Sequence, residues 1–132
     1  MCVGLAICPA LFVVQAQPDQ IKTFGLFNGY AWNSFPSVDV QRIYLAGLSE
    51  ALIHETPAVF ENKYMTGNLT TADVQVLISN FYTERANLLI PIIEALHIVS
   101  MKTHGVSQVE IDKAIQLWRG VANKAPEKNE PR

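Results

Sequence analysis

The chain has 132 residues, of which 49% are hydrophobic and 17% charged, and its formal net charge is −2. That length is one domain's worth of chain, and the composition excludes a largely disordered one. The slight negative charge argues against a nucleic-acid binder, which carries a basic face.

Met1 to Ala16, MCVGLAICPALFVVQA, carries no charge, and polar Gln17, Pro18, Asp19 and Gln20 follow it. Val14 and Ala16 are branched or small at the positions a signal peptidase reads, so the segment reads as a signal peptide cleaved after Ala16. It falls short of the roughly 20 apolar residues of a membrane span. The positive leader charge is missing and Cys2 follows the initiator directly; a start codon assigned too late accounts for both. Leu5-Ala6-Ile7-Cys8 has the outline of a lipoprotein signal, but Ile7 stands where a small residue belongs. The competing reading is a buried first helix or strand. Cys2 and Cys8 both lie in this segment, so a chain starting at Gln17 has no cysteine, hence no disulfide and no thiolate metal site. The expected organisation is a signal peptide over 1–16, one helical domain over 17–123 and a polar tail over 124–132. The expected location is periplasmic or secreted.

Ile21 to Phe35 is dense in aromatics, and Phe24, Phe27, Ala31 and Phe35 share one helical face. The spacing predicts a short, irregular helix weakened at Asn28-Gly29. Tyr30 and Trp32 point off that face and are candidates for partner contact. Ser37 then caps a helix with Asp39 in its first turn. Val40, Ile43, Tyr44, Gly47, Leu48, Ala51 and Leu52 recur at helical steps to about His54. Gly47 on that face would admit a neighbouring helix closely. Glu55 to Leu69 reads as a connection pinned by Val59, Phe60, Tyr64 and Met65. Asn68-Leu69-Thr70 has the form of a glycosylation sequon. Thr70 and Asp73 form a capping box before a helix with Val74, Leu77, Ile78 and Phe81 on one face. A tight link, Thr83 to Asn87, leads into the next helix as a hairpin.

That next helix, Pro91 to His104, is apolar on nearly every side, so neighbours must bury it from several directions. Pro91 suits its first turn and Gly105 its stop. Ser107 and Glu110 form a second capping box, and Ile111, Ala114, Ile115, Trp118 and Ala122 face inward on a last helix. The fold class is therefore all-α: about five helices packed up-and-down around the central one.

Tyr44-Leu45-Ala46-Gly47-Leu48-Ser49-Glu50-Ala51 resembles the Y-x-x-G-x-x-(D/E)-A segment of the Rap/Tai family. Asn68-Leu69-Thr70-Thr71 with Val74 resembles that family's turn into its next helix. Phe81 to Leu96 resembles its helix, polar turn and apolar helix, so the likeness covers roughly residues 42 to 100. It implies an exported helical protein of amidase-immunity type. The chain is also similar to small exported bacterial helical proteins without an assigned role. It departs from the family in one respect: such proteins usually carry a cysteine pair, and this chain from Gln17 has none.

Glu94 and His97 make an E-x-x-H step, which in helical bundles can hold iron or manganese. Glu50 and His54 form another helical pair. A di-metal bundle needs two such steps and two further glutamates, and only one step is present. The stripe therefore reads as a wet seam with Glu94 and His97 as partners one turn apart. No G-x-S-x-G, H-E-x-x-H or phosphate-cradling glycine loop occurs in the sequence. Ser100 and His104 share a helix, where serine more often bonds backbone. The expectation is a protein that is not an enzyme and takes no cofactor and no metal. Its expected partner is another protein, with no nucleic acid and no stable membrane span in the mature chain; a homodimer stays open. The contact candidates are Tyr30, Trp32, Phe60 and Tyr64. The alternative is a metal- or small-ligand-binding bundle using Glu94, His97, Glu50 and His54.

Overall fold

The computed structural model describes residues 18–124. The expected signal peptide with its two cysteines, and the tail beyond Lys124, lie outside the described residues. Within them the protein is mostly helical, with one two-stranded hairpin and a bundle-like packing.

The described chain begins with a 3-10 turn, Pro18–Ile21, and an antiparallel hairpin of β1 (Lys22–Thr23) and β2 (Leu26–Phe27). The turn residues Phe24 and Gly25 both have positive φ, 53° and 79°. Positive φ at both central residues is the type I′ pattern, whose twist suits a hairpin. Glycine adopts it freely. A bulky L-residue in the left-handed region costs roughly 1–2 kcal/mol. The expectation of one irregular helix over Ile21 to Phe35 is corrected: only α1 (Gly29–Ser34) is helical.

Asn28 is the reason the extended run stops there. Its Oδ1 accepts from the Tyr30 and Ala31 N–H groups at 3.0 and 3.4 Å. Its Nδ2 donates to the Gln20 carbonyl at 2.8 Å and to Thr23 Oγ1 at 3.0 Å. A buried amide satisfied on both ends fixes the hairpin and the helix start together. Gly29 next to it is needed for close approach, since a Cβ there would clash with the Tyr82 ring and stand 2.9 Å from Leu88 Cα.

Helix α2 (Val38–Glu55) begins as its sequence predicts, with Ser37 Oγ accepting from the Val40 N–H at 3.2 Å. Its inward face is rotated from the expected one. Leu45 is the buried residue, with Tyr44, Leu48 and Leu52 half-buried, while Ile43 is 71% exposed. Gly47 meets open space instead of a neighbouring helix. The rotation follows from a polar seam. Gln41 Nε2 donates to the Trp32 carbonyl at 3.0 Å, and Gln75 Nε2 donates to Gln41 Oε1 and to Ser79 Oγ, both at 2.9 Å. Trp32 Nε1 donates to the same Ser79 hydroxyl at 3.1 Å.

After Glu55 the connection is itself helical: a short α3 (Pro57–Val59) runs into a π-helical turn, Phe60–Tyr64. Helix α4 (Thr71–Phe81) opens with the expected capping box, Thr70 and Asp73 each bonding the other's backbone. The Thr70 hydroxyl and then its N–H hold the Asp73 carboxyl below the usual carboxylate range. Val74, Ile78 and Phe81 are buried on α4, as their spacing predicts.

The link to α5 is longer than the expected tight one and includes a 3-10 turn, Arg85–Asn87. Tyr82 pins it by donating to the Ile90 carbonyl at 2.9 Å, and Arg119 Nε donates to Asn87 Oδ1 at 2.9 Å. Burial, with Tyr44 nearby, pushes the Tyr82 phenol well above the usual range.

Helix α5 (Ile92–Thr103) lies at the centre, packed against α4, against the Phe60–Tyr64 turn and against α6 (Gln108–Ala122). Ile92, Ala95, Leu96, Ile98 and Val99 are all buried. Gly105, at φ 71°, ends the helix as expected. On α6, Ile111 and Ala122 are buried and Ala114, Ile115 and Trp118 half-buried, which matches the predicted inward face. Ser107 Oγ accepts from the Glu110 N–H at 3.3 Å and donates to the Glu110 carboxylate at 2.9 Å.

Candidate partner-binding site

The segment between α2 and α4 contains a π-helical turn, Phe60–Tyr64. A π-helical turn is uncommon and recurs at functional sites. Here it lays Phe60, Lys63 and Tyr64 across α5 and α2. Two polar contacts tie this segment to α5. Ser100 Oγ donates to the Met65 carbonyl at 2.7 Å. Lys63 Nζ stands 3.6 Å from Glu94 Oε2. The Tyr64 ring also meets the His97 ring edge-on, with centroids 6.0 Å apart.

A pocket of about 70 Å³ opens beneath the segment. Leu45, Phe60, Leu69, Val74 and Leu96 give it apolar lining, and Ser49, Tyr64, Thr66 and Thr71 bring hydroxyls to it. It has less than half the volume of the roughly 150 Å³ apolar cavity that takes benzene. That leaves room for the tip of one aliphatic side chain. Around it the segment exposes apolar surface: Val59 is 48% and Met65 44% exposed.

The four contact candidates separate on this geometry. Phe60 is half-buried and lines the pocket; Tyr30 is half-buried on α1, at the other end of α2. The expectation that Trp32 points away from the core is corrected, because its indole is fully buried and hydrogen-bonded to Ser79. Tyr64 is also a core residue, 6% exposed, with only its pocket edge open. Aromatic spacing misplaced Trp32 because Asn28 halts the helix, which resets the face from Gly29 onward.

The carboxylate and imidazole pairs do not gather. Among the described residues, no group of three or more His, Cys, Asp or Glu side chains lies close enough to hold a metal ion. His54 is exposed at the end of α2, its Nδ1 3.1 Å from the neighbouring Glu55. Glu94 is the residue whose setting was underestimated. It is 8% exposed, and its enclosed Oε2 lies 3.6 Å from both Lys63 Nζ and His97 Nδ1, with no hydrogen-bond partner. A buried carboxylate needs a counter-charge, and Lys63 supplies one from the π turn. The seam is therefore drier than expected and joins the segment to α5. Nothing in the sequence flagged Lys63, since its partner is distant in the chain and the contact depends on the π turn.

Ser100, nearly fully buried, spends its hydroxyl proton on the Met65 carbonyl. That places it in the anchorage of the segment between α2 and α4.

Compared with protein-family models, with curated proteins and with solved structures, the chain matches none.

Proposed function

We propose that this protein is a small exported protein-binding module of the cell envelope, inhibitor- or immunity-like in character, which meets its partner through the segment between α2 and α4. The observation that carries this is the apolar surface of that segment: Val59 and Met65 exposed, and Phe60 at the mouth of a pocket sized for one side chain. Interfaces take most of their affinity from a few apolar anchors seated in such pockets. The motif likeness to the Rap/Tai family and the signal-like leader support the same reading. No helix among the described residues is long and apolar enough to cross a membrane.

The test is retention from envelope extract by the chain starting at Gln17, against a Val59→Ser, Met65→Ser double variant. Wild type is expected to retain a partner that the variant releases, with both melting at similar temperatures. Equal retention by the two would contradict the assignment. Mass spectrometry of the exported form should show Gln17 as its first residue; an intact Met1 in the envelope fraction would contradict export with cleavage.

A further inference from the structure

We infer that the segment between α2 and α4 is a proton-gated strap, locked onto α5 when His97 and His104 are charged and released when they are neutral. The inference rests on reading that segment as the contact surface, and adds what controls it.

Each of the two polar fasteners between the segment and α5 includes an imidazole. At the first, Lys63 Nζ and His97 Nδ1 both stand 3.6 Å from Glu94 Oε2, and the Tyr64 ring lies edge-on to His97. At the second, Ser100 Oγ donates to the Met65 carbonyl at 2.7 Å. There His104 Nδ1 lies 2.9 Å from the Ser100 carbonyl and 3.2 Å from its hydroxyl. The remaining histidine, His54, is exposed on α2 and paired with Glu55.

Charge on either ring tightens its fastener. Glu94 Oε2 is enclosed and accepts no hydrogen bond, so it depends on neighbouring charge. A neutral imidazole offers it only a dipole, whereas an imidazolium adds a second cation to that of Lys63. His104 is the C-cap of α5, where the helix dipole favours a cation. When neutral, its ring can carry the proton on the other nitrogen. Nδ1 is then an acceptor, and the Ser100 hydroxyl can turn to it and away from Met65. When charged, Nδ1 is always a donor; it bonds the Ser100 carbonyl and leaves the hydroxyl proton to Met65. Charged groups on the other elements packed on α5 are engaged elsewhere. On α4, Asp73 bonds Thr70; on α6, Glu110 bonds Ser107, Asp112 bonds Gln108 and Arg119 bonds Asn87. Glu61 on the π turn, Lys102 on α5 and Lys113 on α6 are exposed. Among the described residues, no further ion pair reaches Glu94, His97 or His104. The fastened state therefore takes up protons: acidification through the histidine range favours it, and rising pH releases the segment.

The experiment is hydrogen exchange on the purified chain without a partner. Protection factors of the Phe60–Tyr64 amides, from which the intrinsic rise of exchange with pH is removed, are measured at about pH 5.5 and about pH 7.5, which bracket histidine titration. Wild type is expected to lose about tenfold in protection between them, the equivalent of one pH unit of linkage. His97→Gln and His104→Gln should each lose part of that fall, and the double variant should be level, since glutamine keeps a donor but no titrating proton. Ring-proton NMR of wild type reads the same coupling without any substitution: His97 and His104 should titrate over the range in which protection is lost. Protection that stays level or rises with pH in wild type, an equal fall in the double variant, or imidazoles that titrate outside that range would overturn the inference and leave the contact surface standing. Failure to retain a partner, with the pH dependence intact, would overturn the contact surface and leave the gate standing.

Discussion

Helices α5 and α2 look alike as strings of letters, each a run of aliphatic residues at helical steps, yet the fold uses them in opposite ways. Along α5 the neighbours close in on several sides, and seven residues of the helix are buried. Along α2, the longer of the two, only Leu45 is. Helix α2 lies on α4 and on the segment after it, and turns the rest of its surface outward. The difference teaches where apolar periodicity is decisive. A helix apolar all round has one solution, which is enclosure. A helix with one partial apolar face can be turned to more than one angle, and its polar residues choose among them. On α2 the choice is made by Gln41, which must reach both the Trp32 carbonyl and Gln75. That brings Tyr44, Leu45, Leu48 and Leu52 inward and leaves Ile43 outside.

This contrast can be broken by substitution. The largest effect belongs to α5: Leu96→Ala should destabilise by ~2–5 kcal/mol, the range for emptying an aliphatic core site. A loss below about 1 kcal/mol in urea melts would remove α5 from the centre of the fold. An intermediate effect belongs to the seam that orients α2. Gln75→Leu deletes the amide that bridges Gln41 and Ser79, leaving the Gln41 oxygen without its donor, and should cost ~1–3 kcal/mol. A neutral or stabilising result would mean that shape alone sets the rotation of α2. The smallest effect belongs to the outward stripe: Ile43→Ala should stay within about 0.5 kcal/mol of wild type, as surface changes do. A core-sized loss there would restore the face that the periodicity alone predicts.

The legible parts of the sequence were those where local chemistry and burial agree. Pro91 and Gly105 bracket α5, Ser37 and Thr70 cap α2 and α4, and Ile111 to Ala122 give α6 its inward face. Hidden were the features built by contacts between distant residues. Trp32 is taken into the core by Ser79, and Lys63 is brought to Glu94 by a π turn that no residue pattern announces. The hairpin was missed because its turn has phenylalanine where asparagine would signal it. For the candidate site, the connection after α2 was marked by its aromatics, but which of them face outward was settled by the packing beneath.

In the proposed reading a rigid α5 carries an adaptable strap, the segment between α2 and α4, that meets the partner. Segments that bind are drawn from the less stable end of a structure, and the strap is fastened to α5 by the Ser100–Met65 hydrogen bond and the Lys63–Glu94 pair. Native-state hydrogen exchange resolves the two directly. The amides of Ile98 and Val99 should exchange only through global unfolding, while those of the Phe60–Tyr64 turn open locally, at least about a hundredfold faster, a gap of roughly 2.7 kcal/mol. Equal protection of the strap and α5 would make the strap part of the cooperative core and contradict the account.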